Sequence, residues 1–230
     1  QIILPLIMLS IFYFVFGVIL GGRFSNLANE SRVDYALALF IGLGFFNFLA
    51  QNIGAAPSII LSHAHYVKSM AFPLEVLPIT TVLTSFITLV INVLLTMLIF
   101  LLCKGFLYIT AGFVVFYLLC NLLITMGISW ILSSMAVFFR DISALIPPLT
   151  IILMFMCPIF YPASMVPQRI KWVIAINPIA VMIESVRGCL LYGITPSLHS
   201  LIYVFLCSII FAILGYSLFM RCKSAFADVM

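Results

Sequence analysis

Two charged side chains stand three residues apart in a very apolar stretch of this chain, "INPIAVMIESVRGCLLYG", residues 176–193. On a helix, this spacing places Glu184 and Arg187 on one face. Charged groups at membrane depth pair with one another or face a polar cavity. The stretch therefore predicts one of two roles, which the sequence leaves open: a structural ion pair, or a polar lining at the mouth of a pathway.

The sequence contains no common motif for nucleotide binding or catalysis. G-x-x-x-x-G-K-[ST], H-E-x-x-H and G-x-S-x-G are all absent, so we expect no ATP site and no catalytic residues on this chain. His63 and His65 would point to different sides of a helix rather than to one metal ion. The scattered cysteines are typical of small packing residues. We therefore predict no metal site and no cofactor bound by this chain.

Composition assigns the chain to the membrane. Hydrophobic residues make up 66% of the sequence and charged residues 7%, whereas soluble domains carry about 25% charged residues. A water-soluble fold of this length could not bury so much apolar surface. The net charge of +4 is small and dispersed, which indicates no nucleic-acid partner. The apolar runs do not alternate as barrel strands do, so the spanning elements must be helices.

Six runs are long and charge-poor enough to cross the membrane as helices. They cover residues 1–22, 35–67, 76–103, 105–139, 142–168 and 188–220. We therefore predict an all-α integral membrane protein with six transmembrane helices in a single domain, residues 1–230. An even number of spans puts both ends on the same side, but the distribution of Lys and Arg does not give the orientation.

The segment between the fifth and sixth spans, residues 163–193, fits neither a loop nor a further span. It is too apolar for a loop, and four charged residues interrupt it or its flanks. Two short helices fit better, one near 167–175 and one that starts with Asn177 as N-cap and Pro178 at the first position. The second helix would be about 22 Å long, short of the hydrocarbon core of about 30 Å. We predict a pair of re-entrant helices.

The order of several short motifs resembles the membrane subunits of ABC exporters for bacterial polysaccharides, the group of O-antigen, capsule and teichoic-acid permeases. The motifs are "FVFGVIL", "FPLEVLP", "FRDIS", "CPIFYP", "NP", "E-x-x-R" and "FADVM". Each is weak alone, but their order and spacing cover nearly the whole chain.

This resemblance implies a function and an assembly. The chain would be the channel-forming subunit of an exporter in the bacterial inner membrane, with both ends in the cytoplasm. Two copies would form the channel, and two copies of a separate ATPase subunit would bind ATP and Mg. The cargo would be a lipid-linked polysaccharide, O-antigen first, moved from the cytoplasm to the periplasm. The family usually begins with an interfacial helix that this sequence lacks, so we expect an N-terminal piece to be missing.

The resemblance also implies roles for particular residues. Residues 62–75 would form a cytoplasmic coupling helix that rests on the ATPase, with these candidate contacts: His65, Tyr66, Lys68, Phe72, Pro73 and Glu75. Arg140 and Asp141 would form a cytoplasmic link after the fourth span. The re-entrant pair would lie at the periplasmic exit, with these candidate gate residues: Asn177, Pro178, Glu184 and Arg187.

Aromatic side chains are candidates for the channel wall, since flat apolar rings suit the faces of sugar rings. The first span has Phe12, Tyr13 and Phe16 at helical spacing, and the fifth has Phe155, Phe160 and Tyr161 near its outer end. The alternative is ordinary packing or lipid contact, because Phe is abundant throughout the chain.

Two other functions stay open at this point. The chain could serve an ABC exporter of a drug or a small lipid, with the same architecture and a different cargo. It could also be a membrane-embedded transferase that uses His63 or His65 and needs no ATPase.

Overall fold

The computed structural model describes residues 3–19, 31–63, 65, 73–139 and 141–226, and within them all regular structure is helical. The α-helices of this part of the chain are α1 (Ile3–Phe12), α2 (Arg32–Ser62), α3 (Val76–Lys104), α4 (Phe113–Phe138), α5 (Ile142–Met156), α6 (Lys171–Ile176), α7 (Pro178–Leu191) and α8 (Leu198–Lys223). A π-helix (Tyr13–Ile19) continues α1, and two 3-10 turns lie at Ile109–Gly112 and Ala163–Met165. The prediction of an all-α fold is confirmed for these residues.

Among the residues that the structure describes, four helical stretches are long and apolar enough to cross a membrane: α2, α3, Ile109–Phe138 and α8. The helices α1 and α5 are apolar but shorter. The predicted fifth span extends too far, because α5 ends at Met156 instead of continuing to residue 168. Pro158 disfavours helical backbone at the residue before it. Cys157 accordingly has an extended conformation, with φ −94° and ψ 137°.

The predicted sixth span begins too early. Residues 188–191 belong to α7, and α8 starts only at Leu198. The Ser197 hydroxyl oxygen caps this start by accepting a hydrogen bond from the backbone N–H of Ser200 at 3.1 Å. Between the two helices, Gly193 adopts a positive φ of 65°, a conformation that glycine reaches without a steric cost. The turn at Gly193 therefore separates two helices where the hydropathy alone indicates one.

The centre of the fold is α2, whose most apolar window is 83% buried, against 22% for α3 and 17% for α8. It packs on α1 and its π-helical extension, and on α3, α4, α5 and α7. Other helices cover most of the circumference of α2, whereas α3 and α8 leave large apolar side chains exposed. Every other element that carries a candidate functional residue is thus positioned relative to α2.

The most extensive helix pair is α4 with α8. Gly127 and Gly215 let the two backbones touch: a Cβ on Gly127 would overlap the carbonyl of Phe211, and a Cβ on Gly215 would overlap the carbonyl of Gly127. Small residues at such a crossing are the usual means of helix association in membranes, where lipid tails leave little hydrophobic driving force.

One end of α2 is fixed by a cap and an ion pair. The Ser31 hydroxyl accepts a hydrogen bond from the Asp34 N–H at 3.2 Å, and the Ser31 N–H donates to Asp34 Oδ2 at 2.9 Å. Lys104, in the last turn of α3, pairs with the same carboxylate oxygen at 2.8 Å. The start of α2 therefore lies beside the end of α3, and the two helices run antiparallel.

Candidate functional site

The chain breaks its helical path where α5 ends. The backbone is extended at Cys157, and Cys157 and Ile159 are buried. The Tyr161 hydroxyl turns back and donates a hydrogen bond to the carbonyl of Phe155 at 2.8 Å. Carbonyl groups of such a break must find donors, because lipid offers none.

The helix α7 starts as the sequence predicts. Asn177 Oδ1 accepts hydrogen bonds from the N–H groups of Ile179 at 3.0 Å and Ala180 at 3.4 Å, and Pro178 stands at the first helical position. The Asn177 side-chain amide also donates to Cys157 Sγ at 3.3 Å. One side chain thus caps α7 and connects its start to the break after α5.

Arg187 lies at the centre of this region and is only 1% exposed. Its Nε donates to the Ala38 carbonyl of α2 at 2.7 Å, Nη1 to the Pro158 carbonyl at 2.5 Å and Nη2 to the Ile159 carbonyl at 2.8 Å. A guanidinium has five N–H donors in a planar fork, which lets one side chain serve carbonyls on three sides. Arg187 therefore joins α7 both to α2 and to the non-helical residues 157–162 that follow α5, here called the broken segment.

Gly42 of α2 makes room for this guanidinium. A Cβ at residue 42 would overlap Arg187 Nη2. Sequence reasoning missed this partner, although a glycine inside an apolar helix is a signal of close packing. Sequence reasoning also missed the carbonyl partners, because the spacing of side chains along the sequence does not show which distant backbone groups will lie nearby.

Glu184 has a different environment from Arg187. It is half-buried, and its Oε1 accepts a hydrogen bond from the Ala163 N–H at 3.3 Å. It also lines an open cavity of about 390 Å³ between α6, α7 and the turn at Ala163, with Lys171, Trp172 and Ser185 among the other lining residues. Glu184 thus lines a cavity and Arg187 binds buried carbonyls, while a role of either residue at the mouth of a pathway stays a prediction.

The aromatic candidates come from two parts of the chain, the first helix with its π-helical extension and the region of α5. Tyr13 is 41% exposed and Phe155 61% exposed, whereas Phe12, Phe160 and Tyr161 are half-buried. Phe16 lies in the π-helix, and its side chain is outside the described part of the structure. The helices α1, with its extension, and α5 both pack on α2, and Phe160 and Tyr161 follow the end of α5. Their role in a channel wall stays a prediction.

Only part of the predicted coupling helix is described. His65 is exposed, Pro73 is exposed and Glu75 is half-buried, while Tyr66, Lys68 and Phe72 lie outside the described residues, as does Arg140. Asp141 is exposed at the start of α5. The coupling role of these residues stays a prediction.

Glu75 fixes the far end of this link to two helices. Its carboxylate pairs with Lys223 of α8 at 2.6 Å, and its backbone carbonyl accepts a hydrogen bond from Trp130 Nε1 of α4 at 3.1 Å. A second hydrophobic cluster, separate from the main core, surrounds these contacts and contains Ile59, Ile60, Leu74, Trp130, Val137, Phe219 and Phe226. Both ends of the link therefore rest on one small core.

The Glu75 carboxylate makes the stability of the fold depend on pH. Burial raises the pKa of this carboxyl, but the hydrogen bond from Lys223, a backbone hydrogen bond and the charge of the ammonium together outweigh burial, so the pKa lies below its ordinary value. Such a group stabilises the fold above an unfolded pKa of about 4.3 and loses that contribution as the pH falls through the lowered folded value. We expect Glu75→Gln to lower the melting temperature in detergent at pH 7 and to flatten its decline in acid.

Lys223→Met provides the matched control for this pair. If the two side chains act together, adding Lys223→Met to Glu75→Gln lowers the melting temperature little further. Identical melting curves for Glu75→Gln and the parent protein from pH 7 to pH 3.5 would show that the pair contributes nothing. Because both side chains are partly exposed, the difference should shrink at high salt.

Within the described residues, no group of three or more His, Cys, Asp and Glu side chains is placed to hold a metal ion. His63 Nδ1 lies 2.8 Å from the carbonyl of Ile59 and 3.1 Å from the Ser62 hydroxyl, which are helix-end contacts. The geometry therefore gives His63 a local backbone partner.

Comparison with known proteins adds a family. Residues 1–191 match the sequence profile of the ABC-2 type transporters. Two proteins from Klebsiella pneumoniae, each named O-antigen export system permease protein RfbA, are 27% and 28% identical over 98% of this chain and 84% of their own length. A protein of the same name from Myxococcus xanthus is 22% identical over 89% of this chain and 80% of its own length. The matched range includes the broken segment and Arg187.

Proposed function

The chain belongs to the ABC-2 type transporter family, and from this premise we propose that it is the channel-forming subunit of an ATP-driven exporter of lipid-linked polysaccharide. The observation that carries the proposal is the similarity to two O-antigen export permeases over 98% of this chain. O-antigen is accordingly the first candidate cargo. Export would run from the cytoplasm to the periplasm.

The proposal includes a separate ATPase subunit. The sequence lacks a P-loop, so the energy must come from a partner that binds ATP and Mg. Two copies of that partner would serve two copies of this chain. Residues 62–75 are the proposed contact, and Glu75 supports this because it connects the end of the link to α4 and α8.

A homodimer accounts for the apolar faces of α1 and α5. These short helices expose large side chains, including Ile7 and Ile11 on α1 and Leu145 and Ile152 on α5. In a dimer, such faces would meet a second copy or enclose the path between copies. We place the assembly in the bacterial inner membrane.

The proposed topology has six crossings with cytoplasmic ends. The shorter helices α1 and α5 would supply two of them, and α6 and α7 would form the re-entrant pair at the periplasmic side. Two features support the pair: α7 has 14 residues and starts beside the break after α5. The candidate gate residues Asn177, Pro178 and Glu184 would act there.

Complementation tests the proposal. In a strain whose permease gene is deleted, we expect surface O-antigen to disappear and lipid-linked polymer to accumulate in the inner membrane. Expression of the full-length protein with its own ATPase subunit should restore surface polymer. An ATPase variant that binds but does not hydrolyse ATP should leave the polymer inside.

Two results would contradict the proposal. Normal surface polysaccharide in the deletion strain would exclude this cargo. Restoration of export with the hydrolysis-deficient ATPase would exclude ATP as the energy source. A His63→Ala, His65→Ala variant provides a control for the transferase alternative, because we expect it to support export.

A further inference from the structure

The exposed face of α2 differs from the exposed faces of the other long helices. Its exposed residues are Arg32, Asn47, Gln51, Gly54, Ser58 and Ser62, and none of them is apolar except glycine. Over their central parts, α3 and α8 expose apolar and aromatic side chains, for example Leu94 and Leu98 on α3. The faces of α3 and α8 suit acyl chains, whereas the face of α2 does not.

The exposed positions from residue 47 onward form one continuous stripe. They follow at intervals of four, three, four and four residues. At about 100° per residue they lie within a sector of about 80°, and at about 1.5 Å per residue the stripe is about 22 Å long. We call Asn47, Gln51, Gly54, Ser58 and Ser62 the polar face of α2. It extends over much of the thickness of a hydrocarbon core.

The hydrogen bonds of this face show what its groups still need. The Ser58 hydroxyl donates to the Ala55 carbonyl at 2.8 Å and the Ser62 hydroxyl to the Ser58 carbonyl at 2.7 Å, so both oxygens keep lone pairs free to accept. Asn47 and Gln51 are exposed, so their side-chain amides face whatever surrounds the helix. An amide facing hydrocarbon without a partner is costly. This face therefore needs a hydrogen-bonding environment.

We propose that the polar face of α2 is a wall of the water-filled translocation path and that it binds hydroxyl groups of the sugar polymer. The cargo part of this inference rests on the proposed function. From Asn47 to Ser62 the face has amides and hydroxyls but no charge, which matches the hydroxyls of uncharged sugars. Gly54, in the middle of this face, has no side chain that would project into the path, and a Cβ at this position would meet nothing within 4 Å.

Weak and repeated hydrogen bonds suit a moving polymer. A conducting path must bind its cargo well enough to admit it and loosely enough to release it, over several equivalent sites. Amides and hydroxyls can replace a hydrogen bond to water with a hydrogen bond to a sugar hydroxyl at little net cost in free energy. A row of such groups along about 22 Å offers that exchange at each step.

The competing occupant is a helix of a second copy. Gly54, Ser58 and Ser62 are small residues at four-residue intervals, a pattern that also supports close helix packing in membranes. Such packing would cover the face and exclude water from it. Asn47 and Gln51 favour the water-filled path, since their longer amides keep backbones apart.

Thiol labelling separates the two occupants. Gln51→Cys and Ser58→Cys are made singly in a Cys103→Ser background, because Cys103 is the exposed cysteine of this chain. The complex with its ATPase, in native membranes, reacts with a charged, membrane-impermeant thiol reagent. Leu94→Cys and Leu98→Cys are the matched controls, because both are exposed positions on an apolar face of α3. We expect at least a tenfold faster reaction at residues 51 and 58.

Two outcomes would overturn the water-filled path. One is labelling at residues 51 and 58 as slow as at residues 94 and 98. The other is a disulfide between two copies through Ser58→Cys. Neither outcome depends on the cargo, so a failure here would leave the complementation result intact, and a failure of complementation would leave this labelling contrast in place.

Protection by arrested polymer tests the cargo part. With the hydrolysis-deficient ATPase, lipid-linked polymer is expected to occupy the path and to slow labelling of Gln51→Cys at least threefold. Membranes from a strain that makes no polymer provide the control. Equal labelling rates with and without polymer would overturn the binding of sugar hydroxyls at this face.

Discussion

Replacing Arg187 with methionine is expected to prevent the protein from reaching a stable fold. Methionine keeps a long unbranched chain but has no N–H groups, so the Pro158 and Ile159 carbonyls lose their donors. Each unsatisfied buried group costs about 1–3 kcal/mol, or about 2–6 kcal/mol for the two. Removing a buried charge relieves some desolvation, yet the carbonyls belong to the backbone and remain. Size-exclusion chromatography and melting in detergent measure the loss.

Arg169→Met is the matched control, since Arg169 is exposed in the same segment. We expect it to yield as much folded protein as the parent. The melting temperature of Arg187→Lys should lie between those of Arg187→Met and Arg169→Met. A lysine ammonium keeps the charge but cannot donate in the planar geometry of a guanidinium. Arg187→Met with a melting temperature equal to that of the parent would show that the carbonyl contacts contribute little.

Exchange of the two charges tests what Arg187 does. The double variant Glu184→Arg, Arg187→Glu would recover folding if attraction between the two charges were the main contribution. We expect no recovery, because a carboxylate at residue 187 accepts hydrogen bonds and cannot donate to carbonyls. Gly42→Ala should reproduce part of the defect of Arg187→Met, since its Cβ would overlap the guanidinium. Gly42→Ala should add little once Arg187 is methionine.

The second large effect is expected at the crossing of α4 and α8. Gly127→Leu places a side chain against the Phe211 backbone, and Gly215→Leu against the Gly127 backbone. Backbone cannot rotate away as a side chain can, so the helices must separate along their most extensive contact. We expect a loss of about 3 kcal/mol or more, the upper end for overpacked interiors. The yield of folded protein and its melting temperature report this loss.

Gly112→Leu is the matched control for the crossing, because a Cβ at residue 112 would meet nothing within 4 Å. It should leave the melting temperature close to that of the parent. Normal folding of Gly127→Leu would mean that α4 and α8 tolerate a wider separation than the structure shows. Gly127→Ala should have an intermediate effect.

Local features of the fold were predictable from the sequence because they depend on neighbouring residues. The N-cap at Asn177 and Pro178 needs only a short side chain and a fixed φ next to the first turn. The bounds of α3 needed only a continuous apolar run with Gly105 after it. The end of α5 was missed because the sequence stays apolar past Pro158. The length of the apolar run was given more weight than the proline that ends the helix.

The sequence by itself determined the membrane environment, the helical class and the presence of an unusual charged segment before α8. Composition and apolar run length follow from residue type alone, and lipid leaves the backbone few alternatives. Only the tertiary structure decided what Arg187 does and which face of α2 is polar and exposed. Both depend on distant segments, the Pro158 and Ile159 carbonyls in one case and the helices that cover the rest of α2 in the other. A side chain's type gives its donors and acceptors, but packing selects its partners.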